Sequence, residues 1–110
     1  SFEYTLPTGV TAKNIKVYYD VDGLTGYDPN AKDVLIKEYT SKDAPQGKLI
    51  FVPKSSTDTT ADDYINLELK PEYLTNGKYV YIVIQITDSK GKTTYQKIKV
   101  EYKDKLYNLT

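Results

Sequence analysis

Carboxylates and phenols are the side chains of this chain best placed to do chemistry. Asp20, Asp22, Asp28 and Asp33 fall within the 14 residues "DVDGLTGYDPNAKD", and hard oxygen donors on a loop are what calcium takes. The spacing is not that of an EF-hand, because glycine stands fourth rather than sixth from Asp20 and no glutamate closes the loop at the twelfth position. Alternating strands would bring residues 22–32, 54–63 and 88–92 to one end, so a calcium ion, if bound, is expected on Asp20, Asp22 and Asp88. The competing expectation is that Asp, Asn, Gly and Pro here only shape turns. Catalysis is not expected: the chain has no His and no Cys, so the common nucleophile and base pairs are missing. The adjacent Asp62 and Asp63 read as solvated loop residues.

The elements that must position these groups are strands. Phe2, Tyr4 and Leu6 alternate, as do Ile15, Val17, Tyr19 and Val21. "DVLIKEYT" and "GKLIFVP" supply two more strands on either side of a turn with Pro45 and Gly47, and "YINLELK" a fifth before the corner "PEYLTNG". The stretch "GKYVYIVIQITDSKGKTTYQKIKV" is a hairpin. Gly91 in "DSKG" suits a type I turn closed by a glycine bulge, which sets Asp88 opposite Lys92. Counting back, Ile86 faces Thr94, Ile84 faces Gln96, Ile82 faces Ile98 and Val80 faces Val100. Gln85 with Tyr95, Val83 with Lys97, Tyr81 with Lys99 and Tyr79 with Glu101 fall on the other face. A slip of one residue would drive lysines into the core. The pattern predicts an all-β chain, a seven-stranded antiparallel β-sandwich of immunoglobulin-like type. Its inner face carries Val17, Tyr19, Ile36, Leu67, Leu69, Ile82, Ile84 and Ile98.

On the outer face of the sheet expected from the third, sixth and seventh strands, Tyr81, Val83, Tyr95, Leu35 and Tyr39 form a patch ringed by Lys37, Lys97 and Lys99. The candidate ligand or interface residues are Tyr39, Tyr81, Tyr95, Lys97 and Lys99. Cross-strand aromatic contacts and lysine stems also stabilise a sheet that binds nothing. No concavity is predicted for a sheet face, and its tyrosines alternate with Lys rather than with the Asp, Asn and Gln that fix sugar hydroxyls.

At 110 residues the chain fits one domain, residues 1–110, able to bury a core without a disulfide or metal. Fifteen basic residues, all lysine, balance fifteen acidic ones, which argues against nucleic acid and anionic membrane as partners. No apolar run approaches the roughly 20 residues of a membrane-spanning helix, so membrane insertion is not expected. A chain without Met reads as a module excised from a larger protein. Lysine without arginine, with abundant Tyr, Ile, Asn and Asp, suits an AT-rich bacterial genome.

The hairpin resembles the last two strands of bacterial immunoglobulin-like, PKD-like and fibronectin type III-like modules. "LELKPEYLTNGKYVYIVI" is similar to the leucine, proline and tyrosine passage at the corner of fibronectin type III domains. The likeness spans about residues 64–102; the WDFGDG-like segment of PKD domains and the early core Trp of fibronectin type III are absent, and Tyr73 is as good a corner tyrosine as Tyr79 or Tyr81. It implies a non-catalytic structural or adhesive module of a bacterial cell-surface or secreted multidomain protein, extracellular, partnered by neighbouring domains of its parent and by protein or polysaccharide at the cell surface. The alternative is a carbohydrate- or cell-wall-binding accessory module, which the absence of Trp disfavours.

Overall fold

The computed structural model describes residues 2–9, 11–21, 26–27, 33–45, 47–53, 64–67, 70–74, 78–103 and 106–109. They form eight strands: β1 (Phe2–Thr5), β2 (Ala12–Asp20), β3 (Val34–Thr40), β4 (Lys48–Pro53), β5 (Tyr64–Leu67), β6 (Tyr79–Asp88), β7 (Thr93–Lys103) and β8 (Leu106–Leu109). A single 3-10 turn, Pro71–Tyr73, marks the corner before β6. Among the described residues no helix is long and apolar enough to cross a membrane.

Two sheets result, one of three strands in the order β1-β4-β5 and one of five in the order β3-β2-β6-β7-β8. Their apolar faces meet in a sandwich-like arrangement. Leu49, Phe51 and Ile65 of the small sheet share one buried cluster with Ile15, Val17, Tyr19, Val80, Ile82, Ile84 and Val100 of the large one. Ile36, Leu67 and Ile98 pack against this cluster from its margin, and Leu69 lies outside the described residues. Tyr73 is the aromatic of the corner that reaches the core, stacked on Tyr19 at 5.1 Å between ring centroids. Gln96, a polar residue on the inward parity of β7, is exposed.

The β6–β7 register is the expected one at every pair from Tyr79↔Glu101 to Thr87↔Thr93. Its turn is closed as expected too. Gly91 sits at φ 85° and donates its N–H to the Asp88 carbonyl at 3.0 Å, while the Asp88 N–H reaches the Lys92 carbonyl at 2.9 Å. Alternation in a half-buried ribbon determines which side chains face each other, and the left-handed glycine determines where the ribbon folds.

Three features depart from the expectation. β8 adds an eighth strand, paired antiparallel with β7 from Val100↔Leu109 to Lys103↔Leu106. β4 and β5 run parallel, with Phe51 beside Ile65, so the end of β4 and the start of β5 stand at opposite ends of the small sheet. The parallel pair inverts the direction of the later strands relative to simple alternation. Lastly, β2 lies between β3 and β6, so the third strand does not pair with the sixth.

Candidate functional site

The outer face of the five-stranded sheet carries most of the residues singled out from the sequence. Successive registers place Leu35, Tyr18, Val83 and Lys97 in one row across β3, β2, β6 and β7. The next row toward the C-terminal end of β2 holds Asp20, Tyr81 and Lys99, and the row beyond it Tyr79 and Glu101. On the other side of the Tyr18 row, Glu38, Lys16, Gln85 and Tyr95 align.

This face has a buried centre of its own. Tyr18 and Val83 are fully buried although they point away from the core between the sheets. The described part of the connection between β2 and β3 covers them: Gly26 N–H donates to the Tyr18 hydroxyl at 3.1 Å, and Tyr27 N–H donates to Gln85 Oε1 at 3.3 Å. The Tyr27 ring lies 5.4 Å from that of Tyr18, at 59° to it. Gly26 holds φ 97°, a left-handed conformation that brings the chain back over the sheet and that L side chains rarely adopt. Burial is the main cause that pushes the Tyr18 phenol up to about 12; the Gly26 N–H opposes it, and the negative charges of Asp20 and Asp33 add to it. Tyr18 is therefore a neutral phenol at physiological pH.

Asp20, 1 % exposed, stands on the same face at the end of β2. Lys97 Nζ approaches its Oδ2 at 3.8 Å, passing over β6 between the Val83 and Tyr81 rows. The same ammonium lies 5.6 Å from the centre of the Tyr81 ring. Lys99 repeats the pattern one step along, 4.8 Å from the Tyr79 ring centre and 3.3 Å from Glu101 Oε1. Tyr79 and Tyr81 meet edge to face at 5.7 Å. The rings of Tyr79 and Tyr81 thus each carry a lysine over a face, in a ladder of cation–π contacts joined to ion pairs.

Tyr81, Tyr95, Lys97 and Lys99 do share the outer face, as expected from the hairpin. Tyr39 does not. It is 1 % exposed and part of the core cluster, because β3 carries a bulge: Val17 pairs with Lys37 and Tyr18 with Leu35, leaving Ile36 as the extra residue. One extra residue reverses the parity, so Leu35 faces out while Tyr39 faces in, with Lys37 Nζ 5.5 Å from its ring centre.

The three aspartates expected at a calcium site are not gathered. Asp20 pairs with Tyr81 and Asp88 stands seven residues further along β6 (88 − 81), about 23 Å at the rise of a strand. The parallel β4–β5 pair explains the error, since it moves the 88–92 turn to the end opposite Asp20. Asp88 works as a turn former, its Oδ1 accepting N–H bonds from Lys90 and Lys92, each at 2.9 Å. Asp22 lies outside the described residues, among which no group of three or more carboxylates is placed to hold a metal ion.

Sequence reasoning missed Tyr18, Tyr27 and Gln85. The available signal was "VYYD": two consecutive tyrosines on a strand mean large side chains on both faces, and a strand buried on both faces needs a cover on each. Comparison with protein-family models, with curated proteins and with solved structures finds no match to this chain.

Proposed function

We propose that the chain is a non-catalytic structural or adhesive module, an immunoglobulin-like sandwich within a larger bacterial cell-surface or secreted protein. Supporting the fold assignment, β7-β6-β2-β3 packed against β1-β4 follows the strand order of immunoglobulin-type sheets, with β2, β6 and β7 in the places of strands C, F and G and β1 and β4 in those of B and E. β5, parallel to β4, and β8, outside β7, are additions to that plan. An all-lysine set of basic residues suits a bacterial source, and the absence of Cys fits a bacterial extracellular protein as well as a cytosolic one.

The capping of Tyr79 and Tyr81 carries the functional reading. A stacking platform for sugars needs an open ring face, and on this sheet the ammonium groups of Lys99 and Lys97 lie over those rings while pairing with Glu101 and Asp20. Such a face holds its own sheet together and meets neighbouring domains through a charged, aromatic surface.

One observation favours the second reading, a carbohydrate- or cell-wall-binding accessory module: Tyr95 is 44 % exposed. Electrophoresis of the chain through gels containing cell-wall or plant polysaccharides separates the two. The structural reading predicts unchanged mobility for the wild type and for Tyr95→Ala. Retardation of the wild type that Tyr95→Ala abolishes would promote the binding module instead.

A further inference from the structure

Gly26 and Tyr27 lie across the outer face and belong to neither sheet. Among the described residues their backbone makes no ladder bond. Both N–H groups donate to side chains instead, Gly26 to the Tyr18 hydroxyl of β2 at 3.1 Å and Tyr27 to Gln85 Oε1 of β6 at 3.3 Å. The Tyr27 ring adds its contact with Tyr18 at 5.4 Å. Both residues are half-buried, whereas Tyr18 beneath them is fully buried. Leu35 and Tyr95, the two exposed large hydrophobic residues among those described, stand on either side, Leu35 beside Tyr18 on β3 and Tyr95 beside Gln85 on β7.

We infer that Gly26 and Tyr27 form a strap that lifts from the sheet as one unit while the sandwich stays folded, uncovering Tyr18 between Leu35 and Tyr95. Three observations carry it. The two strap amides are held by side-chain acceptors alone, so their release breaks no bond of either sheet, and water can meet the hydroxyl and the amide left behind. The two donors are adjacent amides of one bent segment, with Gly26 at φ 97°, so neither bond keeps its geometry without the other. Tyr18 and Val83, which the strap covers, stand outside the buried cluster that joins the two sheets, so that cluster is intact when the strap lifts. Segments with few buried contacts open at free energies well below that of global unfolding. The strap is thus a switch on the face assigned above to contacts with neighbouring domains. That use rests on the structural reading, whose own test is the polysaccharide gel; the opening is a property of the chain alone.

Amide hydrogen exchange of the folded 110-residue chain, followed through a series of low urea concentrations, reads the opening directly. Gly26 and Tyr27 should share one degree of protection that hardly changes with urea. Ile82 and Ile84, fully buried on β6, should exchange far more slowly and with steep urea dependence. Gln85→Ala should speed exchange about tenfold at Gly26, which Gln85 does not bond, as well as at Tyr27. Tyr18→Phe should likewise speed both amides about tenfold, although Tyr27 bonds only to Gln85. Protection at Gly26 and Tyr27 that falls with urea as steeply as at Ile82 would make the strap part of the global fold. Variants that each speed only the amide they bond would reduce the strap to two separate contacts, and unprotected amides at both positions in the wild type would leave no closed strap. Each of these results overturns the inference, and the urea series on the wild type needs no variant to fold.

Discussion

Lys97 Nζ and Asp20 Oδ2 lie 3.8 Å apart although their strands are not neighbours, because the lysine stem crosses β6 to reach a carboxylate that is almost wholly buried. The stem shields Val83 and the ammonium offsets the charge of Asp20, so packing and electrostatics are joined in one side chain.

Lys97→Ala should therefore cost about 1–3 kcal/mol, most of it from leaving a buried carboxylate with less compensation. Asp20→Asn combined with Lys97→Ala should recover part of that loss. Urea unfolding of the three variants checks this, and a Lys97→Ala midpoint equal to that of the wild type would contradict it.

Tyr18 makes alkaline stability a second test. Its folded phenol is pushed up to about 12, above the ordinary value of 10.0, so the folded state favours the protonated form. The corresponding stability is fully present below pH 10 and is lost as pH rises toward 12. Absorbance of tyrosinate should show a late step with unfolding, to which Tyr18 contributes and toward which burial also moves Tyr4, and Tyr18→Phe should lower the amplitude of that step by one tyrosine. A single wave of ionisation near pH 10 for every tyrosine would show Tyr18 to be open to solvent.

The hairpin was legible to the residue because alternation has a period of two and "DSKG" admits one turn geometry. The same alternation misplaced Tyr39, since nothing in "VLIKEYT" marks the bulge at Ile36: no Gly or Pro stands there, and both parities of the strand offer apolar side chains. Strand direction was lost at a different place. The polar sequence between β4 and β5 is long enough for either strand direction, and only the pairing of Phe51 with Ile65 shows that the two strands run parallel. Tyr18 escaped notice because a strand was assumed to bury one face, whereas β2 ends in four successive buried residues.

Ile82 and Ile84 are fully buried between the two sheets, on the face read as core from the sequence. Truncating either to Ala should cost about 2–5 kcal/mol, the range for large aliphatic side chains that leave a cavity. The same change at the exposed Leu35 should cost well under that; equal losses at the three positions by urea unfolding would argue against this layering.

Calcium should leave the melting temperature unchanged relative to chelator, because Asp20 and Asp88 stand at opposite ends of β6. Asp88→Ala should lower stability by about 1 kcal/mol in either condition through loss of its turn hydrogen bonds. A calcium-dependent rise that Asp88→Ala abolishes would restore a metal site at this turn.

The central claim is that the aromatic and lysine residues of the outer face serve the sheet that bears them. A double-mutant cycle between Tyr81 and Lys97, by urea unfolding of Tyr81→Ala, Lys97→Ala and the pair, tests it most directly. A favourable coupling of about 0.5–1 kcal/mol, with Tyr81→Ala alone destabilising, is the predicted result for an ammonium held over a ring at a half-buried site. Strictly additive effects with Tyr81→Ala neutral would mean that the ring contributes nothing to the fold and is kept for a ligand.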